Sequence, residues 1–310
     1  MNPKPGIYPG VSFEEYKSWD AINNSLLEII LELTPAHARD YLDNPPDLTD
    51  AFRVGQAQHT LILEPGEFEK RYAVRPECDR RTKEGKAIYA DFLDNLNGKT
   101  EITEQELSII RAMDGKLKSK EFIINYVERG QPEVCIVWQD ERTGLLCKAR
   151  LDYYQKQLDC IIDLKTTIKP ASLINVEKII ARFGYYQKAA FYCDGLFALT
   201  DNMPSFVFVF LEKNSPYECR ALQLGDNSII AGRKAYRKAL KIYSTCLKSN
   251  RWPGWPDEVD IVEMPQWALN NLGVGQYNII SEDEENGKSL GQQIDWKSLE
   301  ADARIAEGRE

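Results

Sequence analysis

The sequence has few of the residues that build zinc, iron–sulphur or dithiol centres. Only His37 and His59 are histidines, and the seven cysteines are scattered so that no two lie closer than 12 positions. Without a CxxC pair, a Cys/His zinc site, an iron–sulphur cluster and a dithiol redox motif are not expected. Four of the cysteines lie in apolar segments, as reduced core thiols do.

Membrane and motor signatures are also missing. No apolar run approaches the ~20 residues of a membrane span, and the N-terminal MNPKPGIYPG has no signal-peptide core. We therefore expect a cytoplasmic protein with no membrane partner. Gly287, Lys288 and Ser289 lack the preceding glycine of a P-loop, because position 282 is Glu. A nucleotide-driven motor is excluded.

Charge is unevenly distributed in this acidic chain. The net charge of −9 is unfavourable for binding nucleic acid, but much of the acidic excess lies in residues 281–310. The local field matters more than the sum. Basic residues cluster elsewhere, at Arg75, Arg80, Arg81, Lys83 and Lys86; Lys148 and Arg150; Lys165 and Lys169; Lys178 and Arg182; and Arg233, Lys234, Arg237 and Lys238.

The order of predicted elements indicates an α/β protein. A length of 310 residues allows one large or two small domains. We expect an N-terminal helical part (1–130) packed on a core (131–250), followed by a peripheral segment (251–310) with an acidic, disordered tail. Apolar periodicity and capping residues predict helices near 25–33, 51–63, 103–118, 184–198 and 227–249, a basic mobile loop at 75–86, and strands near 134–139, 147–154, 158–164, 205–212 and 218–224.

One hairpin carries polar residues that a buried strand does not need. Residues 147–154 alternate, 155–157 form a polar turn, and 158–164 are nearly all apolar. Asp163 and Lys165 are two positions apart, so they share one face of the second strand, and Asp152 meets that face from the first. Two carboxylates and an ammonium at one sheet edge suit a divalent-metal site.

A structural salt bridge between Asp152 and Lys165 is the alternative. It leaves Asp163 unexplained, and burying that carboxylate without a partner costs several kcal/mol. In a metal site, the two crowded carboxylates repel, so at least one should have a raised pKa. Asp163→Ala should then leave stability in chelator unchanged or slightly raised. From the residues alone, His59 and Glu133 are each either ligands or ordinary surface residues.

The chemistry of such a site suits phosphodiester hydrolysis. Mg²⁺ prefers hard oxygen ligands and keeps several waters, so two carboxylates and substrate phosphate oxygens are sufficient. Lys165 could orient the attacking water or neutralise developing charge without a histidine base.

Three motifs of the chain resemble the PD-(D/E)XK nuclease superfamily, and within it the exonuclease VIII (RecE-like) branch. They are GQAQHTLILEP at 55–65, LLCKARLD at 145–152 and IIDLKTT at 161–167. The resemblance covers about residues 20–250 and implies a restriction-endonuclease-like core, with a central mixed sheet flanked by helices and an N-terminal helical extension. It makes His59, Glu133, Asp152, Asp163 and Lys165 catalytic positions, of which all but Lys165 are metal ligands.

The chain departs from the family pattern in two places. Leu151 replaces the proline of the PD motif, which makes no metal contact. On the helix that follows the metal strand, related nucleases carry Gln-x-x-x-Tyr, but here Lys188 lies four positions before Tyr192 and Gln187 lies five before it. Which of these two side chains reaches DNA is left open. The DNA-contact candidates are Gln187, Lys188, Tyr192, Arg80, Arg81, Lys148 and Arg150.

The resemblance implies a Mg²⁺-dependent exodeoxyribonuclease, with Mn²⁺ as a substitute. Its substrate would be linear double-stranded DNA ends, degraded 5′ to 3′ to leave single strands for a RecT-like annealing recombinase. A homo-oligomeric ring with a basic lumen would reconcile the acidic chain with a polyanionic substrate. The alternatives are an endonuclease or single-strand exonuclease with the same site, and a non-catalytic DNA-binding protein.

Overall fold

The structure is a computed structural model that describes residues 3–46, 50–121 and 130–271. The chain divides into two units, Met1–Trp255 and Pro256–Glu310. The second unit is described only as far as Asn271, so the predicted acidic tail at 281–310 lies outside the described residues. No helix in the described part of the chain is long and apolar enough to cross a membrane.

The first unit contains two sheets and the helices that cover them. Its strands are β1 (Gly6–Tyr8), β2 (Tyr72–Val74), β3 (Thr100–Ile102), β4 (Gln131–Gln139), β5 (Leu146–Gln155), β6 (Cys160–Thr167), β7 (Ser205–Glu212) and β8 (Cys219–Gln223). Its helices are α1 (Phe13–Ser18), α2 (Asn24–Glu32), α3 (Pro35–Asp43), α4 (Asp50–Leu63), α5 (Pro65–Arg71), α6 (Lys83–Asp94), α7 (Glu104–Lys118), α8 (Leu173–Arg182), α9 (Tyr185–Thr200) and α10 (Asp226–Ser249). The second unit contributes α11 (Gln266–Asn271).

The main sheet has six strands in the order β1-β4-β5-β6-β7-β8. It is mixed, because β6 and β7 are parallel and the other neighbours are antiparallel. A parallel pair needs a crossover connection, and here α8 and α9 form it. The short strands β2 and β3 pair separately and in parallel.

Helices cover both faces of this sheet. The strand β7 shows why, since its SFVFVFLE sequence sends Phe206, Phe208 and Phe210 into one core and its intervening apolar residues into the other. Helices α2, α8, α9 and α10 pack in the first core, and α4, α5 and α7 in the second. The predicted fold, a central mixed sheet flanked by helices, is confirmed.

Strands β5 and β6 are paired over only part of their length. Their register joins Tyr153 to Ile162, Tyr154 to Ile161 and Gln155 to Cys160. Beyond Tyr153 the strands separate, and the backbone N–H of Leu164 donates instead to Asp152 Oδ2 at 2.8 Å. On the far side of the opening, the N-terminal part of β5 bonds to the backbone of Ile22. The opening therefore lies where the sequence placed the two carboxylates.

The predicted mobile loop at 75–86 ends in a helix. Residues 83–86 form the first turn of α6 instead of a loop, because Thr82 Oγ1 accepts the Gly85 N–H as an N-cap. In the same way, Ser12 caps α1 through the N–H of Glu15. By contrast, the predicted helix near 103–118 is confirmed as α7, which begins with a capping box in which Thr103 and Glu106 are bonded reciprocally.

Candidate active site

Asp163 lies at the centre of the opening with an ammonium group on each carboxylate oxygen. Its side chain is 1% exposed. Lys165, on the same face of β6, donates to Oδ1, and Lys188 from α9 donates to Oδ2. The period of a strand brings Lys165 to this carboxylate, whereas Lys188 reaches it only because α9 packs across the sheet.

Asp152 faces α4 on the other side of the opening. Its Oδ2 atom accepts the Leu164 N–H and lies 3.8 Å from His59 Nδ1. The same imidazole nitrogen lies 3.8 Å from Glu133 Oε1. Helix α4 thus brings His59 between two carboxylates.

Glu133 occupies a strained position in β4. Its backbone φ is +51°, a left-handed conformation that costs a residue with a Cβ of order 1 kcal/mol or more. Its Oε2 atom lies 3.1 Å from Arg150 Nε, and the Arg150 guanidinium lies over the Phe13 ring at 5.4 Å. The unusual backbone therefore aims a carboxylate at both His59 and Arg150.

The site is a charged cluster, and its charges shift the pKa values of His59 and Asp152. The members of the cluster are His59, Glu133, Asp152, Asp163, Lys165 and Lys188. Burial opposes protonation of His59, but the carboxylates of Asp152 and Glu133 outweigh it and raise the pKa of the imidazole. Burial also opposes ionisation of Asp152, but Lys188, His59 and Lys165 prevail and lower the pKa of that carboxyl to about 2. The sequence predicts a raised pKa for at least one of the two carboxylates; that carboxylate is not Asp152, because the positive charges of Lys188, His59 and Lys165 outweigh the effect of burial.

The two lysines share one carboxylate. Burial, together with the neighbouring charge of Lys188, lowers the pKa of Lys165 below its ordinary value, although Asp163 acts in the opposite direction. The ring of Tyr185 covers the Lys165 ammonium at 5.0 Å, and the ring of Tyr192 covers that of Lys188 at 5.0 Å. Both ammonium groups are thus held between a carboxylate and an aromatic face.

The structure distinguishes between the two candidates on α9. Lys188 and Tyr192 lie in the cluster, whereas Gln187 is 3% exposed and donates to Asn24 Oδ1 at 3.2 Å. Gln187 therefore bridges α9 to α2 and is not on a DNA-accessible surface. The four-before position, occupied by Lys188, is the one that reaches the site.

The structure also contradicts the prediction that Lys148 contacts DNA. It is 5% exposed, and its Nζ atom donates to the carbonyl oxygens of Tyr16 and Trp19 at 2.9 and 2.5 Å. Burial lowers its pKa to about 8. The ammonium therefore binds the carbonyls at the end of α1, where a cation is favourable, and cannot meet a phosphate.

The other basic residues predicted to contact DNA differ in how exposed they are. Arg150 is partly buried against Glu133, at the edge of the cluster. Arg80 and Arg81 are exposed in the segment before α6, and the Arg80 guanidinium lies over the Tyr89 ring at 4.8 Å. Their contact with DNA stays a prediction.

Glu28 is a neighbour of the site that the sequence analysis missed. Asn24 Nδ2 donates to Glu28 Oε1 at 2.6 Å, and burial raises the Glu28 pKa to about 7, despite that hydrogen bond and the nearby charge of Lys188. The available signal was a polar pair four positions apart, on the face of α2 that also carries buried Leu27. Glu28, Asn24 and Gln187 together connect α2 to the helix that carries Lys188.

The cluster has the donors of a hard-cation site, but its charges are already balanced. Across the described residues, no three His, Cys, Asp or Glu side chains converge closely enough to hold an ion together. The carboxylates of Asp152, Asp163 and Glu133 are nonetheless the oxygen ligands that Mg²⁺ or Mn²⁺ prefers. Both oxygens of Asp163 are bonded to lysines, so those ammonium groups supply the positive charge that an ion would bring.

Comparisons with known proteins identify a family for the chain and a similar fold. A family model described as "PDDEXK-like domain of unknown function (DUF3799)" matches residues 12–265. No curated protein matches the chain. Among solved structures, the chain is similar to a presumed exonuclease from Eubacterium rectale, with 14% identity, a TM-score of 0.57, and coverage of 84% of this chain and 97% of that one. At that identity the likeness shows the fold alone.

Proposed function

The chain belongs to the PDDEXK-like family whose model spans residues 12–265, and on that premise we propose that it is a Mg²⁺-dependent deoxyribonuclease. The observation that carries the proposal is the buried Asp163 carboxylate between Lys165 and Lys188, beside Asp152 at an opening in the sheet. Nothing in folding requires this grouping, since burying so many charges is costly. Nucleases of this class generally use divalent metals.

Asp152 and Asp163 would hold the ion, with Glu133 and His59 beside them, and Mn²⁺ would substitute for Mg²⁺. A bound divalent cation supplies Lewis-acid stabilisation to the phosphate and lowers the pKa of water. Lys165 orients the attacking water and offsets the negative charge that develops on the phosphate.

The finer assignment is an exonuclease of the exonuclease VIII (RecE-like) branch. It acts 5′ to 3′ on linear duplex DNA and leaves single strands for a RecT-like annealing recombinase. The three sequence motifs support that branch, and the description of the Eubacterium rectale protein supports an exonuclease. A homo-oligomeric ring that encloses the duplex would place Arg80, Arg81 and Arg150 towards the phosphates.

Cleavage of labelled DNA tests this function. Linear duplexes labelled at the 5′ or 3′ end are incubated with the protein in Mg²⁺, in Mn²⁺ and in EDTA, and closed circles are the control. We expect mononucleotide release from the 5′ label first, only with metal, and intact circles. Cut circles would identify an endonuclease, and no cleavage in either metal would contradict the nuclease assignment.

His59→Ala tests the histidine between the two carboxylates. The variant should fold but lose about 10- to 100-fold in cleavage rate, as when a residue that orients a metal ligand is removed. Its stability loss, on the order of 1 kcal/mol, should depend on pH. Because the folded pKa of His59 is raised, the imidazolium stabilises the fold fully below its unfolded pKa, and this contribution disappears as pH rises through the folded value.

Single-turnover cleavage and thermal denaturation between about pH 5 and 9 measure both effects. His37→Ala is the matched control, because His37 Nδ1 bonds to Thr34 Oγ1 within α3 and its cap. Normal cleavage by folded His59→Ala would mean that His59 has only an ordinary structural role.

A further inference from the structure

An exposed aromatic ring lies beside the cluster, at the junction of α8 and α9. Phe183 follows the last residue of α8 and is 50% exposed. Gly184, with φ +61°, then turns the chain into α9, which begins at Tyr185. That left-handed turn suits glycine, and it places the Phe183 and Tyr185 rings 5.8 Å apart with an interplanar angle of 26°.

These two rings form a continuous path from the surface to the candidate catalytic lysine. Tyr185 stacks on Phe208 of the core at 5.7 Å and 26°, which fixes its orientation. Its ring also lies 5.0 Å from Lys165 Nζ, the atom that donates to Asp163. A flat group that stacked on Phe183 would therefore lie one ring away from the Lys165 ammonium.

The surface around Phe183 is both apolar and basic. Residues 168–183 carry three cations, Lys169, Lys178 and Arg182, and one acid, Glu177, which gives a net charge of +2 in a chain of net charge −9. The Arg182 guanidinium lies 5.5 Å from the Phe183 ring centroid. Exposed aliphatic side chains in the same connection include Ile168, at 73%.

This combination selects a ligand with a flat apolar face and a negative charge. Nucleic-acid strands have both, because every base has a π-face and every nucleotide a phosphate, and aromatic platforms with cationic neighbours bind them without sequence preference. An acidic peptide would satisfy the cations but would leave the aromatic face without a stacking partner.

We propose that Phe183 and Tyr185 form a stacking subsite for one unpaired nucleobase of the DNA strand whose phosphate lies at Lys165, with Arg182 on an adjoining phosphate. The inference rests on the proposed nuclease function. In this proposal, residues 168–183, which connect β6 to α9, hold a base out of the duplex next to the reacting bond. The subsite thereby fixes which phosphodiester is presented to Lys165.

Binding to DNA with single abasic sites tests the subsite in EDTA, where binding is separated from cleavage. The probe is a fluorescent duplex with a short single-stranded end, and the abasic site is moved one position at a time. With the wild type, one position should weaken binding about 5- to 100-fold, the loss expected for one stacked base. Phe183→Ala should bind intact DNA more weakly by a similar factor and should show no further loss at that position.

Two matched variants and a mass measurement complete the test. Phe183→Trp should retain the abasic penalty, and Phe197→Ala, which removes a ring of 41% exposure at the other end of α9, should behave like the wild type. An equal abasic penalty with and without Phe183 would overturn the subsite. If Phe183→Ala also lowered the molar mass in solution, the ring would belong to an interface between copies. A wild type that neither binds nor cleaves DNA would instead contradict the nuclease function itself.

Discussion

Asp163→Ala should abolish cleavage and also destabilise the protein. Its carboxylate forms ion pairs with both Lys165 and Lys188, and it is almost fully buried. Removing it takes away the carboxylate that two buried ammonium groups contact, and losing one partner of a buried pair costs about 3–5 kcal/mol. The cleavage rate should fall by about a thousandfold or more, because the electrostatic centre of the site is gone. The sequence alone led to an expectation of unchanged stability in chelator; the contact of Lys188 with the same carboxylate is the reason for expecting a loss instead.

Thermal denaturation in EDTA and single-turnover cleavage in Mg²⁺ separate the two effects. The stability loss should shrink as pH rises, because without Asp163 burial favours the neutral form of both lysines. Asp194→Ala is the matched control, since Asp194 is also a largely buried carboxylate, bound by Arg233 and by the Tyr236 hydroxyl outside the site. It should lose stability and retain cleavage per folded molecule. A stable and active Asp163→Ala would refute the site.

Lys165→Met should reduce the cleavage rate by about 100- to 1,000-fold with little change in DNA affinity. The reason is that Lys165 offsets charge that exists mainly in the transition state. Lys188→Met should cost less, about tenfold, and should lower the Mg²⁺ concentration needed for half-maximal rate, because its ammonium competes for Asp163 Oδ2. The comparison assigns different roles to two cations on one carboxylate.

Rate measurements across a Mg²⁺ titration, with DNA affinity measured separately, test this difference. Lys148→Met is the control, because it removes a buried ammonium that binds backbone carbonyls of α1. Equal losses in the Lys165 and Lys188 variants would mean that the two cations are interchangeable. A Lys188→Met protein that needs more Mg²⁺ would contradict the competition.

The part of the site that follows from local periodicity was predictable. A strand repeats every two residues, so Asp163 and Lys165 had to share a face, and the hairpin had to bring Asp152 near them. The identity of Lys188 as a site residue depends on how α9 crosses the sheet. Sequence offered only its four-residue spacing from Tyr192, which could not be separated from the neighbouring Gln187.

A long-range contact accounts for the error at Lys148. Lys148 shares the basic pattern of its strand with Arg150, and only the ending of α1, about 130 positions away in sequence, determines that its ammonium is buried. The omission of α8 has no such cause, because the apolar residues of Leu173–Arg182 recur with a clear helical period. Helices with both a cap and a clear apolar face, such as α7, were predictable.

Strands β5 and β6 are paired at one end and separate at the other, so together they have the shape of a fork. Three residue pairs join the two strands, and Asp152 and Asp163 are the next residues, at the point where the strands separate. A substitution that changes the fork angle, even at the paired residues Tyr153 or Ile162, would move the two carboxylates apart or together without altering either one. The distance between the two carboxylates therefore depends on apolar core residues as well. The chemistry of the site can be adjusted without replacing the residues that perform it.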